Sequence, residues 1–296
     1  EIRDCKVSGT DTKKVILEGN GFGGGFVGKV ESAQPFNIII SSADTPAINY
    51  MELTNTYQNG GGMIGHISNG TTTVQGPDGY SSDKPTVQNV KLVSYNSAGS
   101  IIGETGQNIN ISKISVKELD ITVRKDAGGI VGTIVPSGKY VLESIITDIL
   151  VMNMKAKDLV FNNWRERNGI GGVVGSNRSS ILSITNATVT GTEPSNRNDS
   201  QTYGCKLQAS TEKNRQAYPN GVGGIIGHTE YKSNYGTAAK VTLTDCNVSN
   251  VYLETSGNMN FTDKIMAAGG IAGHVASDLV FDGSIKTEKC YIAAPM

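Results

Sequence analysis

Gly128-Gly129-Ile130-Val131-Gly132 closes a segment, Glu104 to Gly132, in which Asn108 to Ser112 alternates polar and apolar residues, Val116 to Val123 alternates again, and a short apolar pair follows two glycines. Alternation of period two marks half-buried strands, and the apolar pair behind a glycine pair marks a third, fully buried one. β-Branched residues dominate each run and no helical stripe of ten residues is present, so no crossover helix can join these strands. Three short strands per unit, wound as a coil, remain.

The same signal recurs along the whole chain, at Gly24-Gly25-Phe26-Val27-Gly28, Gly61-Gly62-Met63-Ile64-Gly65, Gly99-Ser100-Ile101-Ile102-Gly103, Gly171-Gly172-Val173-Val174-Gly175, Gly223-Gly224-Ile225-Ile226-Gly227 and Gly269-Gly270-Ile271-Ala272-Gly273. Seven copies at steps of 37, 38, 29, 43, 52 and 46 residues make one repeat domain over 1–296, with insertions at about 76–85, 162–169, 193–220 and 230–237. The glycines are read as architectural: they permit positive φ and let neighbouring backbones approach. A second column sets Asn or Asp before an alternating apolar pair, at Asp4, Asn89, Asp148, Asn186 and Asp245. Both residues tolerate the left-handed conformation of a tight corner, and their side chains can bond along a stack of corners.

This pattern resembles the glycine-rich GLUG-type repeat, Gly-Gly-apolar-apolar-Gly, of secreted and surface-attached bacterial proteins, including adhesin-like ones. The resemblance covers nearly the whole chain and implies a right-handed parallel β-helix (a solenoid) of about seven coils at a secreted or cell-surface address. It carries no catalytic residues to transfer. Ser100 and Ala272 depart mildly from the motif.

Composition narrows the partners. Twenty-six Lys plus Arg against 27 Asp plus Glu give a formal charge of -1, so no basic field holds a nucleic acid without sequence preference. The longest apolar runs, such as Ile145 to Met154, are interrupted and too short to span a bilayer. The 37 glycines have no Gly-X-Y spacing, which excludes collagen.

Each motif of possible chemistry has a plainer reading. Gly19-Asn20-Gly21-Phe22-Gly23-Gly24 fits G-x-G-x-x-G, but a repeat strand follows where a dinucleotide fold needs a helix, so no cofactor is expected. His66, His228 and His274 each follow the last glycine of a repeat. Sister positions hold Lys29, Glu104, Thr133 and Ser176, as expected of an outward polar site, and no third metal ligand is placed beside His228 and His274. Cys5, Cys246 and Cys290 are expected at one inward position, with Cys205 apart in a long loop.

The insertions hold the concentrated surface chemistry. Trp164, Arg165 and Arg167, then Tyr203 and Tyr218, then Tyr231 and Tyr235 flank repeats five to seven. Loops leaving one corner of a coil gather on one side, which makes these residues candidate contacts for a sugar or a protein partner. The alternative is that their aromatics pack on the coil.

The expected function is a non-enzymatic structural or adhesive module that displays loops for glycan or protein binding, or stacks end to end with further copies or domains of a longer polypeptide or assembly. Another class stays open: a carbohydrate-active β-helix enzyme, a polysaccharide lyase or glycoside hydrolase, with acids drawn from Asp120, Asp148, Asp158, Asp245 and Asp282.

Overall fold

The computed structural model describes residues 1–55, 57–136, 141–158, 168–178, 180–211, 220–230, 240–257 and 266–293. Apart from one 3-10 turn, Ser200–Thr202, their regular structure is β, arranged as one 17-stranded and two seven-stranded sheets. The ladders are parallel, and in the two smaller sheets the strands lie side by side in chain order.

The 15-residue strand Ile109–Val123 shows how the sequence builds one unit. Ile109 and Ile111, then Ile114 and Val116, then Leu119, Ile121 and Val123 are buried. The phase slips between these groups, at Lys113 and Glu118, which have φ of 58° and 54°. A left-handed residue turns the strand and resets which side chains face inward, so three segments send side chains into the core where plain alternation had suggested two.

Asp4, Asp148, Asn186 and Asp245 all adopt φ between 50° and 56°, as the corner reading requires. Their side chains bond from one repeat to the next: Asn186 donates to Asp148 at 2.7 Å, and the carboxylates of Asp4 and Asp245 accept from the backbone N–H groups of Ser41 (2.7 Å) and Ser284 (2.8 Å). Asn89 belongs to a different corner line. It lies opposite Tyr50 and Glu118, whereas Lys113, Asp148 and Asn186 follow the first line. Two lines of corners exist where the sequence suggested one.

The glycine motifs form a tight arch. Strands such as Ala127–Gly128 and Val131–Ile134 run on either side of it in the two seven-stranded sheets, and the apolar pair, Ile130 and Val131 here, is completely buried. The motif glycines do not take positive φ; among the described residues the positive-φ glycines are Gly70, Gly79 and Gly283. Close approach is the constraint instead. A Cβ on Gly128 would collide with the Val131 carbonyl oxygen across the arch, and one on Gly129 with the Gly172 carbonyl oxygen of the following repeat. Ser100 shows what a side chain needs there: it is fully buried, with its hydroxyl donated to the Gly129 carbonyl.

At the last described repeat, Phe281 and Ile292 stand opposite the fully buried Leu243 and Leu253 and are 55% and 48% exposed, with no strand of the described residues beyond them.

Gly129→Val and Gly224→Val should each cost about 2–4 kcal/mol, since the Cβ alone meets the carbonyl oxygen of Gly172 or Gly270 and the packed side chain of Val151 or Val248. Urea unfolding of both variants checks this, and stabilities equal to the parent's would refute the close-approach account.

Candidate functional site

The strand Glu143–Asp158 presents Lys155 and Lys157 on its outward side, and the next strand, Cys205–Thr211, sets Lys206 and Gln208 directly opposite them. After the strand Ile181–Thr190 and before Cys205–Thr211, the chain leaves the ladder as the segment 191–204. Asp199 accepts a hydrogen bond from the Gln201 N–H at 2.9 Å, Thr202 Oγ1 donates to the Asn196 carbonyl at 2.6 Å, and Tyr203 donates its phenol to the Arg197 carbonyl at 3.0 Å. These bonds wind the loop on itself and hold it as a wall over the strands. Asp120, Lys155, Lys157, Ser200, Gln201, Tyr203, Lys206 and Gln208 then line a groove of about 260 Å³, near the small end of ordinary ligand clefts.

Tyr203 is 3% exposed and packs tilted against Tyr252, with ring centroids 5.6 Å apart. Tyr252 stacks on Tyr291 at 5.3 Å. Lys206 Nζ lies 5.5 Å from the Tyr252 ring centroid and donates to Ser200 Oγ at 3.3 Å. Tyr203 thus follows the packing alternative for the aromatics: its ring is a buried wall of the groove. Trp164, Arg165, Arg167, Tyr218, Tyr231 and Tyr235 lie outside the described residues.

The insertions do not all leave from one corner. The segments 159–167 and 212–219 separate an outer strand from the strand entering a glycine arch, whereas 231–239 separates an arch from the first strand of the next unit. The 191–204 loop leaves at the second corner line. In chain order, Trp164 and Tyr218 each fall between an outer strand and the strand entering an arch, and Tyr231 and Tyr235 fall between an arch and the first strand of the next unit. The lysine groove carried no sequence motif; its signal was the pair Lys155 and Lys157 at i, i+2, which period-two geometry puts on one face.

The line Lys29, His66, Glu104, Thr133, Ser176, His228, His274 is in register as expected, but it is not outward along its length. Thr133, Ser176 and His228 are at most 1% exposed. Thr133 and Ser176 are accommodated by a buried polar network: Thr133 and Arg178 both donate to Asp126 Oδ2, at 2.7 and 2.8 Å, Arg178 also donates to Ser176 Oγ at 3.2 Å, and Gly169 N–H donates to Asp126 Oδ1 at 2.8 Å. The rings of His228 and His274 stack with centroids 4.8 Å apart and their Nδ1 atoms at 3.1 Å, a contact in which one Nδ1 donates and the other accepts. Among the described residues no group of three or more His, Cys, Asp or Glu side chains gathers in a geometry that could hold a metal.

The cysteines depart from the expected column. Cys205 lies in a strand opposite Val251 and is fully buried, and burial pushes its thiol up to about 12, so it stays protonated and inert. Cys5 is exposed, and Cys246 and Cys290 follow different corner lines, after Asp245 and Lys289. All four are free thiols. The G-x-G-x-x-G segment forms a strand end and the start of an arch, and lines a cleft of about 180 Å³ with no helix N-terminus in it.

Among the candidate acids, Asp148 and Asp245 are corner residues, and Asp158 is buried with Ser210 donating both its backbone N–H (2.8 Å) and its hydroxyl (2.9 Å) to Oδ1. Burial outweighs these bonds and raises the Asp158 carboxyl from 3.8 to about 6.

Comparison of the chain with protein-family models, curated proteins and solved structures finds no match. The likeness to the glycine-rich repeats therefore rests on the motif itself.

Because Asp158 binds its proton more tightly in the folded chain than in the unfolded one, its contribution to stability is greatest below its ordinary value and is lost as pH rises through about 6. The loss amounts to about 3 kcal/mol by pH 7. Asp158→Asn keeps an Oδ1 acceptor for both Ser210 donors, so its stability should fall less than the parent's between pH 4 and 7. Urea unfolding at several pH values checks this; parallel pH profiles would contradict the buried-carboxyl assignment.

Proposed function

We propose that this chain is a non-enzymatic structural and binding module, built as a right-handed parallel β-helix of about seven coils, that displays loops from a secreted or cell-surface protein. One observation carries the reading. The ladder keeps its register across an extruded loop: Met152 pairs with Thr190 before the segment 191–204, and Lys155 pairs with Lys206 after it. A scaffold whose rungs are fixed by backbone pairing and whose loops vary freely is suited to presenting surface, because loop changes leave the core untouched. Repeats of 29 to 52 residues on one rung geometry fit this division of labour.

The GLUG-type motif supports the extracellular address, and a right-handed path is the overwhelming preference of parallel strand connections. No helix among the described residues is long and apolar enough to cross a membrane. Trp164 and Tyr218, inserted at equivalent junctions of consecutive repeats, are the contact residues this reading favours, since large amphipathic rings supply binding area at small entropic cost.

Trp164→Ala combined with Tyr218→Ala should leave the thermal melt unchanged and weaken binding at least tenfold to the glycan or protein that the parent captures from a defined panel. Unchanged binding by the double variant would overturn the loop assignment, and depolymerisation of any panel glycan by the parent would overturn the non-enzymatic reading.

A further inference from the structure

We propose that the groove between Lys155, Lys157, Lys206 and the 191–204 loop binds a carboxylated sugar unit of an acidic glycan. The inference rests on the display reading above and names the ligand class of one site. It starts from an electrostatic imbalance. Four surface lysines are matched by acids, Lys91 with Glu52 at 2.6 Å, Lys84 with Asp44 at 3.3 Å, Lys289 with Glu193 at 2.7 Å, and Lys113 with Asp78. Lys117, Lys240 and Lys286 are each the one unmatched lysine of their strand among the described residues; the groove differs in gathering three lysines at one place. Among the described residues Lys155 and Lys157 have no such partner.

Lys155 and Lys206 face each other in register on adjacent parallel strands, about 4.8 Å apart, and Lys157 stands two residues along the same face. Like charges placed directly opposite destabilise a sheet. Three ammonium groups thus meet a single lining carboxylate, Asp120, which lies in register between Lys91 and Lys155. Glu254, opposite Gln208 on the next strand, is engaged by the Gln208 amide.

Lysines are often placed on a sheet edge to block strand addition. That explanation does not apply here, because the strands bearing Lys155 and Lys206 are paired on both sides, with Ile109–Val123 and with Val251–Gly257. Lys206 is engaged by Ser200 and the Tyr252 ring, but among the described residues no hydrogen bond or ion pair answers Lys155 and Lys157, and this uncompensated pair points to a ligand that supplies negative charge.

The groove's shape and its other groups narrow the class. The lysines form one floor and the self-bonded loop one wall, so an anion is met from two directions rather than on a flat surface. Ser200, Gln201 and Gln208 add neutral donors and acceptors suited to hydroxyl groups, and Tyr203 closes the groove with an aromatic ring. A ring that bears hydroxyls and one carboxylate uses all of these; a bare phosphate or a fatty acid would use only part.

The test uses the full chain with a defined oligogalacturonate, its fully methyl-esterified counterpart and poly-glutamate, followed by calorimetry. The parent should bind the oligogalacturonate, with affinity falling as salt rises. It should bind the ester and poly-glutamate at least tenfold more weakly. Lys155→Gln with Lys206→Gln should lose at least tenfold in affinity with an unchanged melt, while Lys240→Gln, an exposed lysine elsewhere, should match the parent.

Equal binding of the ester, equal binding of poly-glutamate, or a double variant that binds like the parent would each overturn the proposal. A parent that ignores oligogalacturonate but captures another partner through Trp164 and Tyr218 would overturn the groove assignment alone. A parent that cleaves oligogalacturonate would instead overturn the display reading and leave the groove as a binding site.

Discussion

Every repeat depends on one steric condition: where the chain arches back on itself, a Cβ at the first glycine of the motif would collide with a backbone oxygen. At the second position only Ser100 carries a side chain, its hydroxyl bonded to the Gly129 carbonyl. At Gly128 and Gly129 the neighbouring carbonyl oxygens of Val131 and Gly172 occupy the space a Cβ would take. Because those oxygens belong to the opposite strand and to the next repeat, the same glycines set the arch and the stacking together. The apolar pair that follows is then driven into the core, where Met63, Ile101, Ile130, Val173 and Ile225 are each completely buried in successive repeats. Burial of such side chains contributes about 1.5–3 kcal/mol each, and the glycines decide where that gain is collected.

Much of this was legible in the sequence because the controlling signals are local. Five glycine, apolar, glycine strings survive intact and two survive with one change, Ser100 and Ala272, and the structure forms an arch at all seven. The left-handed corners at Asp4, Asp148, Asn186 and Asp245 were readable because Asn and Asp tolerate that conformation. The second corner line was merged with the first through Asn89, and although Asn153 and Asn250 also lie on it, Tyr50, Glu118 and Lys289 adopt the same φ with side chains that give no such signal. There the ladder imposes the turn, and local preference yields to it. The reason offered for the glycines was half correct: close approach governs the arches, and positive φ does not.

The candidate groove was invisible for a different reason. Lys155 and Lys206 are 51 positions apart in sequence and become neighbours only because the 191–204 loop is extruded without a register shift. Likewise, the residues after the third glycine read as a mixed polar surface, yet Thr133, Ser176 and His228 are buried beside the Asp126–Arg178 pair, which is assembled from different repeats. Charge and burial at such positions depend on what lies one rung away, and one-dimensional spacing does not carry that information. The lysine cluster is the point at which three like charges are gathered into one groove.

The account's central claim is that each repeat, whatever its length, advances the structure by one hydrogen-bonded rung. Asn37, Thr73, Asn110, Ile145, Ser183, Thr242 and Val280 form one outward register line. Nitroxide labels attached by a route that spares the four cysteines, at Asn37 paired in turn with Ser183, Thr242 and Val280, test this by pulsed electron resonance. The account predicts mean separations of about 19, 24 and 29 Å, rising by one strand spacing of about 4.8 Å per repeat. Separations that instead follow the number of intervening residues, with a disproportionate jump across the 59 positions from Ser183 to Thr242, would contradict it.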